Sequence, residues 1–191
     1  MKKLYSLWYL AGMLLIYNIG LAQISGTYTI NSQAATGGTN FNNFYDAIQT
    51  ITSNGISGNL TINVTAGTGP YTEQVRISNI PGTNPFNHVT INGNGETLTF
   101  SPTVSTERHI LFLDSVNYLT INNLNIIVDS NATYGWAVQL HKTKYVEVSN
   151  CSIVTSVSSS SNSFTGINVC SSPDSYTAGS SIMHTTISNN Y

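Results

Sequence analysis

The sequence predicts an all-β fold, a parallel β-helix (solenoid) with an N-terminal capping helix, on three observations. First, two stretches within 110–153 align at an offset of 27 residues without a gap: Leu111 with Val138, Leu113 with Leu140, Leu119 with Val146, Ile121 with Val148, Ile126 with Ile153. A fixed period with matched apolar positions marks stacked structural repeats. Second, apolar residues alternate inside each copy, as in Leu119-Thr-Ile121, and a period of two means strand. Third, charged residues are only 7%, whereas Ser, Thr and Asn fill 71 of the 191 positions. Sheet faces built from uncharged polar side chains have that composition; an average globular domain is about 25% charged. Hydrophobic residues make up 40% of the chain, in short alternating runs, which argues against disorder.

Residues 1–22 read as a secretory signal. Lys2 and Lys3 form a positive start, Leu4 to Leu21 is apolar and uncharged, and Gly20-Leu21-Ala22 offers small residues for cleavage before Gln23. The competing reading is a membrane anchor, since a span needs about 20 residues. After cleavage no membrane span is expected, and the chain is expected to be secreted or displayed on the cell surface. Four basic and eight acidic residues would remain, a net charge of −4. That balance argues against nucleic acid or an anionic membrane as a partner.

Residues 23–58 are expected to form an N-terminal strand, a loop and the capping helix. The strand is Gly26 to Ile30. The helix is predicted over 41–54, because Phe41, Phe44, Ala47, Ile48 and Ile51 share one face. Asn40 would cap its start and Gly55 its end. Residues 59–191 then read as coils, an incomplete set at the C-terminus. Leu60–Val64, Val75–Ile77, Val89–Ile91 and Leu98–Phe100 precede the two good copies, separated by turns rich in Gly and Pro. The pattern returns at Gly166–Val169 and within 182–190, where Ile187 matches Val148 at an offset of 39. An insertion within 170–181 accounts for the longer period. Protruding loops are predicted at 129–135, 155–163 and 171–181. The chain stops at Tyr191 just after a strand, so a longer protein is expected.

In such a coil equivalent side chains lie above one another at about 4.8 Å per turn. Tyr118 over Tyr145 is then an aromatic stack, and Asn123, Asn150 and Asn189 form an amide ladder at one turn. Asn suits such a turn because it tolerates left-handed backbone. Cys151 occupies the inward position of Leu124, and Cys170 the outward position of His141. Opposite faces are poor geometry for a disulfide, so Cys151 reads as a small buried hydrophobe.

The helix, the strand at 59–64, the run Gly67-Thr-Gly-Pro-Tyr71-Thr-Glu73-Gln-Val75-Arg-Ile77 and then Val89-Thr-Ile-Asn-Gly93 resemble the opening of right-handed parallel β-helix proteins. The similarity is to the pectin-lyase-like superfamily, in particular its secreted bacterial surface members. It implies a helix plugging the first coil, and the Asn ladder. The turn Gly69-Pro-Tyr71-Thr-Glu73 also resembles that of pectin methylesterases. That family's catalytic Asp and Arg motifs have no match beyond a loose echo in Ala137-Val-Gln139-Leu140, so no catalytic role is carried over.

No residue is assigned a catalytic role, and no cofactor or metal is expected. The acids do not fall in pairs at strand spacing, as glycoside hydrolysis requires. Asp114 aligns with His141, which as chemistry would be an acid–base couple and as structure an exposed polar pair. Arg108, Lys142 and Lys144 read as a small charged patch near one turn, able to meet an acidic sugar. Tyr134, Trp136 and Tyr176, in or beside the loops, are candidate exposed aromatics for stacking on sugar rings; the alternative for Trp136, which directly precedes a strand, is that it only closes the coil. Arg108, His141 and Lys142 complete the candidate binding set. The expected function is a non-catalytic adhesin-like or structural surface module whose loops bind extracellular polysaccharide. The alternative is the N-terminal part of a carbohydrate-active enzyme, a lyase, hydrolase or pectinesterase type, acting on acidic polysaccharide.

Overall fold

The computed structural model describes residues 22–155, 163–172 and 182–191. The expected signal segment, apart from Ala22, lies outside them, as do Tyr176 and most of the loops at 155–163 and 171–181. The chain enters through β1 (Ile24–Ile30) and β2 (Asn40–Phe41), followed by helix α1 (Phe44–Asn54). A first three-strand turn holds β3 (Ile56–Val64), β4 (Tyr71–Thr72) and β5 (Val75–Ile77). The second holds β6 (Val89–Asn92), β7 (Thr97–Phe100) and β8 (His109–Asp114). The third holds β9 (Asn117–Asn122), β10 (Asn125–Val128) and β11 (Gly135–His141). The fourth holds β12 (Lys144–Ser149), β13 (Ser152–Val154) and β14 (Phe164–Val169), and β15 (Thr186–Ser188) begins another.

Strands recurring in each turn pair with their counterparts one turn away. Sheet A runs β15-β12-β9-β6-β3-β1-β2, sheet B β13-β10-β7-β4 and sheet C β14-β11-β8-β5, all pairings between these strands being parallel. The result is a β-solenoid. The 27-residue offset is the register itself: Leu111 lies opposite Val138, Leu113 opposite Leu140, Ile121 opposite Val148 and Ile126 opposite Ile153. The offset of 39 is equally the register of Val148 with Ile187. The alternation sends Val75, Leu111 and Val138 from sheet C, and Ile62, Ile91, Ile121 and Val148 from sheet A, into one interior cluster, all nearly inaccessible to water. That burial is the main driving force for stacking the turns.

Helix α1 starts three residues later than the apolar spacing predicts. Asn40 and Phe41 pair in parallel with Thr29 and Ile30, and Phe41 stacks on Tyr28 with centroids 5.4 Å apart. Strand pairing removes Phe41 from the helix. Asn43 becomes the N-cap, its side chain accepting from the Asp46 N–H at 2.7 Å. The helix ends at Gly55 as expected: its φ is 72°, its N–H donates to the Ile51 carbonyl, and a Cβ there would lie 2.6 Å from the Pro81 oxygen. The buried face (Phe44, Ala47, Ile48, Ile51) packs on β1, β2 and β5, covering the N-terminal end of the stack. Glu73 secures it, accepting from the Phe44 and Tyr45 N–H groups at 3.1 and 2.8 Å.

Two ladders run along the coil. Tyr118 and Tyr145 stack with centroids 4.9 Å apart; His184 continues the stack above Tyr145 at 4.9 Å, and His88 lies 5.3 Å from Tyr118. Asn123, Asn150 and Asn189 are all left-handed, with φ of 52°, 56° and 53°. The side-chain amide chain, however, runs mainly through the preceding residues: Asn92 donates to Asn63, Asn122 to Asn92, and Asn150 to Asn122 at 2.7 Å. The strand-end residues Asn92 and Asn122 point their amides along the stack, the turn residues supply the backbone reversal, and Asn150 does both.

Neither Cys151 nor Cys170 forms a disulfide. Cys151 faces the interior, where burial raises its thiol pKa against nearby backbone donors, as a small buried hydrophobe requires. Cys170, outward on sheet C, is nonetheless fully buried.

Candidate functional site

The two-residue corners between sheets A and B (123–124 and 150–151) and between C and A (115–116 and 142–143) leave little room for recognition. The connections from B into C are longer, at 101–108 and 129–134. The candidate binding residues lie on the outer face of sheet C and its loop side, whereas the longer C-to-A connection at 78–88 borders a separate groove lined by Asn59, Pro85, Phe86 and His88.

At the loop side, the N–H groups of Thr133 and Tyr134 both donate to the Pro102 carbonyl, joining the two loops. Arg108 lies over the Tyr134 ring at 4.7 Å and the Trp136 ring at 5.1 Å, with its Nε donating to the Ser105 carbonyl. Three of the sequence-predicted binding residues thus meet. Trp136 is not the exposed aromatic expected: it is an integral residue of β11, opposite His109 and Thr165, and only 2% exposed. Tyr134 is half-buried. An open groove adjoins these loops, lined by Thr72, Thr99, Phe100, Ser101, Asp129 and Asn131.

The other end of the same strands carries the charged network. Asp114 receives Arg76 at 2.5 Å and His141 Nδ1 at 2.7 Å. The side chains of His141 and Asp114 are 6% and 13% exposed, so this is not the exposed pair expected from sequence. Outward positions on sheet C are covered here, whereas Arg76 remains open at 54%. Burial pushes the Asp114 pKa up, but the hydrogen bonds from His141 and Arg76, the Arg76 charge and the Ser115 hydroxyl together hold it below the usual carboxylate range. His109 is lowered to about 4, first by burial and then by the Arg76 charge. Arg76 also lies 4.9 Å over Phe112.

Arg108 and Lys142 do not form one patch. Arg108 precedes β8 and Lys142 follows β11, so the length of a six- or seven-residue strand, about 20 Å, separates them. Lys142 is exposed in its corner with φ 50°, and Lys144 covers Tyr145 at 5.2 Å.

Several carboxylates serve the fold. Asp46 binds Thr36, Glu73 the helix start, Glu96 the Gly67 and Gly69 N–H groups, and Asp129 the Asn131 N–H. Among the described residues no group of three or more His, Cys, Asp and Glu could hold a metal ion.

One feature escaped sequence reasoning. Outward on β11 and β14, Gln139 lies opposite Asn168, and its Nε2 donates to the Cys170 Sγ at 3.3 Å. All three are buried, and Asn168 Nδ2 has no hydrogen-bond partner. Arg76 was also missed as a partner of Asp114, because 78–88 lengthens that turn and breaks the simple offset.

No family model, curated protein or solved structure matches this chain.

Proposed function

We propose that this chain is a secreted or cell-surface β-solenoid of the pectin-lyase-like type that holds extracellular polysaccharide without cleaving it, as an adhesin-like module. The observation that carries this reading is the joined loop pair at Arg108 and Tyr134 beside the groove of Thr72, Thr99, Phe100, Ser101 and Asn131. Loops on a rigid scaffold are where binding is commonly placed. The groove brings the Phe100 ring together with the hydroxyl, amide and carboxylate groups of Thr72, Thr99, Ser101, Asn131 and Asp129, which are able to bond sugar hydroxyls. The basic start and apolar run of residues 1–22 support export.

A second reading rests on the Asp114–His141 contact with Arg76 beside it, a constellation that could move a proton next to an acidic sugar. A glycan array run beside pectin and alginate depolymerisation assays tests both. Retention of a polysaccharide, weakened about tenfold by Tyr134→Ala or Arg108→Ala, supports the binding module. Product release at low protein concentration, lost in His141→Gln, supports the enzyme and overturns the first reading. No retention and no product overturns both.

A further inference from the structure

We propose that the groove on the outer face of sheet A is a second binding site, one that takes an uncharged polysaccharide chain with Phe86 as its stacking platform. The groove has a volume of about 380 Å³. It lies between the 78–88 connection, which supplies Pro85, Phe86 and His88, and the outward side of β3 and β6, which supplies Asn59, Thr61 and Thr90. Clefts that hold small molecules span roughly 300–1,000 Å³. The site uses a different sheet and a different loop from the Arg108–Tyr134 groove, so the inference goes beyond that reading and stands or falls separately.

The connection holds Phe86 out on a pinned turn. Asn84 and Asn87 exchange two backbone hydrogen bonds at 3.1 Å, and the Asn84 side-chain oxygen accepts from the Phe86 and Asn87 N–H groups at 2.9 and 3.2 Å. At the base of the loop Gly82 has φ 91°, and a Cβ there would lie 2.0 Å from the Ile56 carbonyl oxygen, so only glycine lets the loop close on β3. At its exit the His88 N–H donates to the Asn59 side-chain oxygen at 2.9 Å. Phe86 is nonetheless 84% exposed, the most exposed large hydrophobic side chain among the described residues. A turn fixed in this way presents the ring with little further ordering on binding.

The lining selects the ligand class. Among the described residues no Asp, Glu, Lys or Arg lines the groove. Thr61, Thr90 and Thr120 succeed one another in the outward row at about 4.8 Å per turn, and the first charge in that row is Glu147, one turn beyond Thr120. An ionic ligand would lose hydration without a partner charge, and a wholly apolar one would strip water from the hydroxyls. Among the described residues the Thr61 and Thr90 hydroxyls have no hydrogen-bond partner, so each is open to donate and accept. The Asn59 oxygen is committed to the His88 N–H, which leaves its amide as a donor. His88 Nε2 lies 2.9 Å from the Pro85 carbonyl, which only accepts, so in the neutral ring Nδ1 is the acceptor. A sugar ring has an apolar C–H face and a rim of hydroxyls that both donate and accept. It meets the Phe86 ring and this mixed polar set together. Because the Thr row runs along the stack, an extended pyranose chain laid in the groove continues over Thr120.

The test is isothermal titration of the full chain with cellohexaose, mannohexaose and chitohexaose, which are uncharged, and with hexagalacturonate, which is acidic. We expect at least one uncharged oligosaccharide to bind. Phe86→Ala should weaken that binding about tenfold, Thr61→Val combined with Thr90→Val should weaken it as well, and Tyr134→Ala should leave it unchanged. At 84% exposure Phe86 can be removed without disturbing the coil. In the unsubstituted chain the bound sugar should shift the His88 ring-proton NMR signals and leave those of His109 and His141 in place, which tests the site without any substitution. Failure of all three uncharged oligosaccharides to bind overturns the proposal, as does binding that Phe86→Ala leaves unchanged, or tighter binding of hexagalacturonate through Phe86. Binding lost in Tyr134→Ala and kept in Phe86→Ala overturns this groove and leaves the Arg108–Tyr134 groove standing.

Discussion

Tyr145 stacks on Tyr118 with ring centroids 4.9 Å apart and planes 18° from parallel, although 27 positions separate them in the chain. The spacing is that of neighbouring strands in a sheet. It sets the scale for every other contact between turns. Both tyrosines have left-handed backbone, with φ of 53° and 54°, which L residues adopt at a free-energy cost. The stack is part of what offsets that cost. Tyr145→Ala removes the ring and keeps the strained backbone, so urea unfolding should show a loss of about 1–2 kcal/mol. Tyr145→Gly relieves the backbone and should lose less. Equal losses would show that the strain plays no part.

The turn asparagines allow the same comparison without an aromatic ring. Asn150 has φ 56° and donates to Asn122 at 2.7 Å. Asn150→Ala should cost about 1–2 kcal/mol, from the lost amide bond and from Ala in a left-handed site. Asn150→Gly should cost only the amide bond. Chemical denaturation of the two variants gives the ranking.

Acid should unfold the chain in a window that His109 defines. Its folded pKa is about 4, below the ordinary 6.5, so the folded state prefers the neutral ring. The unfolded chain takes up the proton first. The corresponding stability is complete above pH 6.5 and is lost as pH falls toward 4, at most about 3 kcal/mol. Asp114, with its pKa lowered in the fold, adds a loss at still lower pH, through the carboxylate range. Glu73 runs the opposite way: burial raises it, so its contribution weakens as pH rises through that range. Denaturant midpoints measured from pH 7 to 4 should fall, and His109→Phe should flatten the decline between 6.5 and 4.

Glu73 also ties the helix to the coil. Replacing it with Ala leaves two N–H groups at the start of α1 without their acceptor. The expected destabilisation is about 1–3 kcal/mol by thermal unfolding, with Glu73→Gln retaining part of the interaction.

The coil was legible in sequence because the copies within 110–153 align without a gap, so register and repeat coincide at Leu111–Val138 and Ile121–Val148. Where loop length changes, legibility fades. His88 and His184 extend the tyrosine stack but sit at offsets of 30 and 39, and Arg76 reaches Asp114 across a longer turn. Phe41 fitted a helical stripe until β-pairing claimed it. The amide chain was assigned to Asn123 and not Asn122, because periodicity identifies aligned positions without saying which one aims its side chain along the stack. Burial on the outer face of sheet C was least legible of all. Alternation marks Gln139, His141 and Cys170 as outward, and outward positions read as wet until the surrounding chain is in place.

Disulfide trapping across one turn measures the vertical register most directly. Thr120 lies opposite Glu147 on the outer face of parallel strands β9 and β12. Neighbouring strands lie about 4.8 Å apart, within reach of a disulfide. With Cys151 and Cys170 replaced by Ala, Thr120→Cys combined with Glu147→Cys should form an intramolecular bond under mild oxidation of the folded chain. Two thiols that stay free under those conditions would mean that residues 27 apart are not neighbours, and the stacked coil would be wrong.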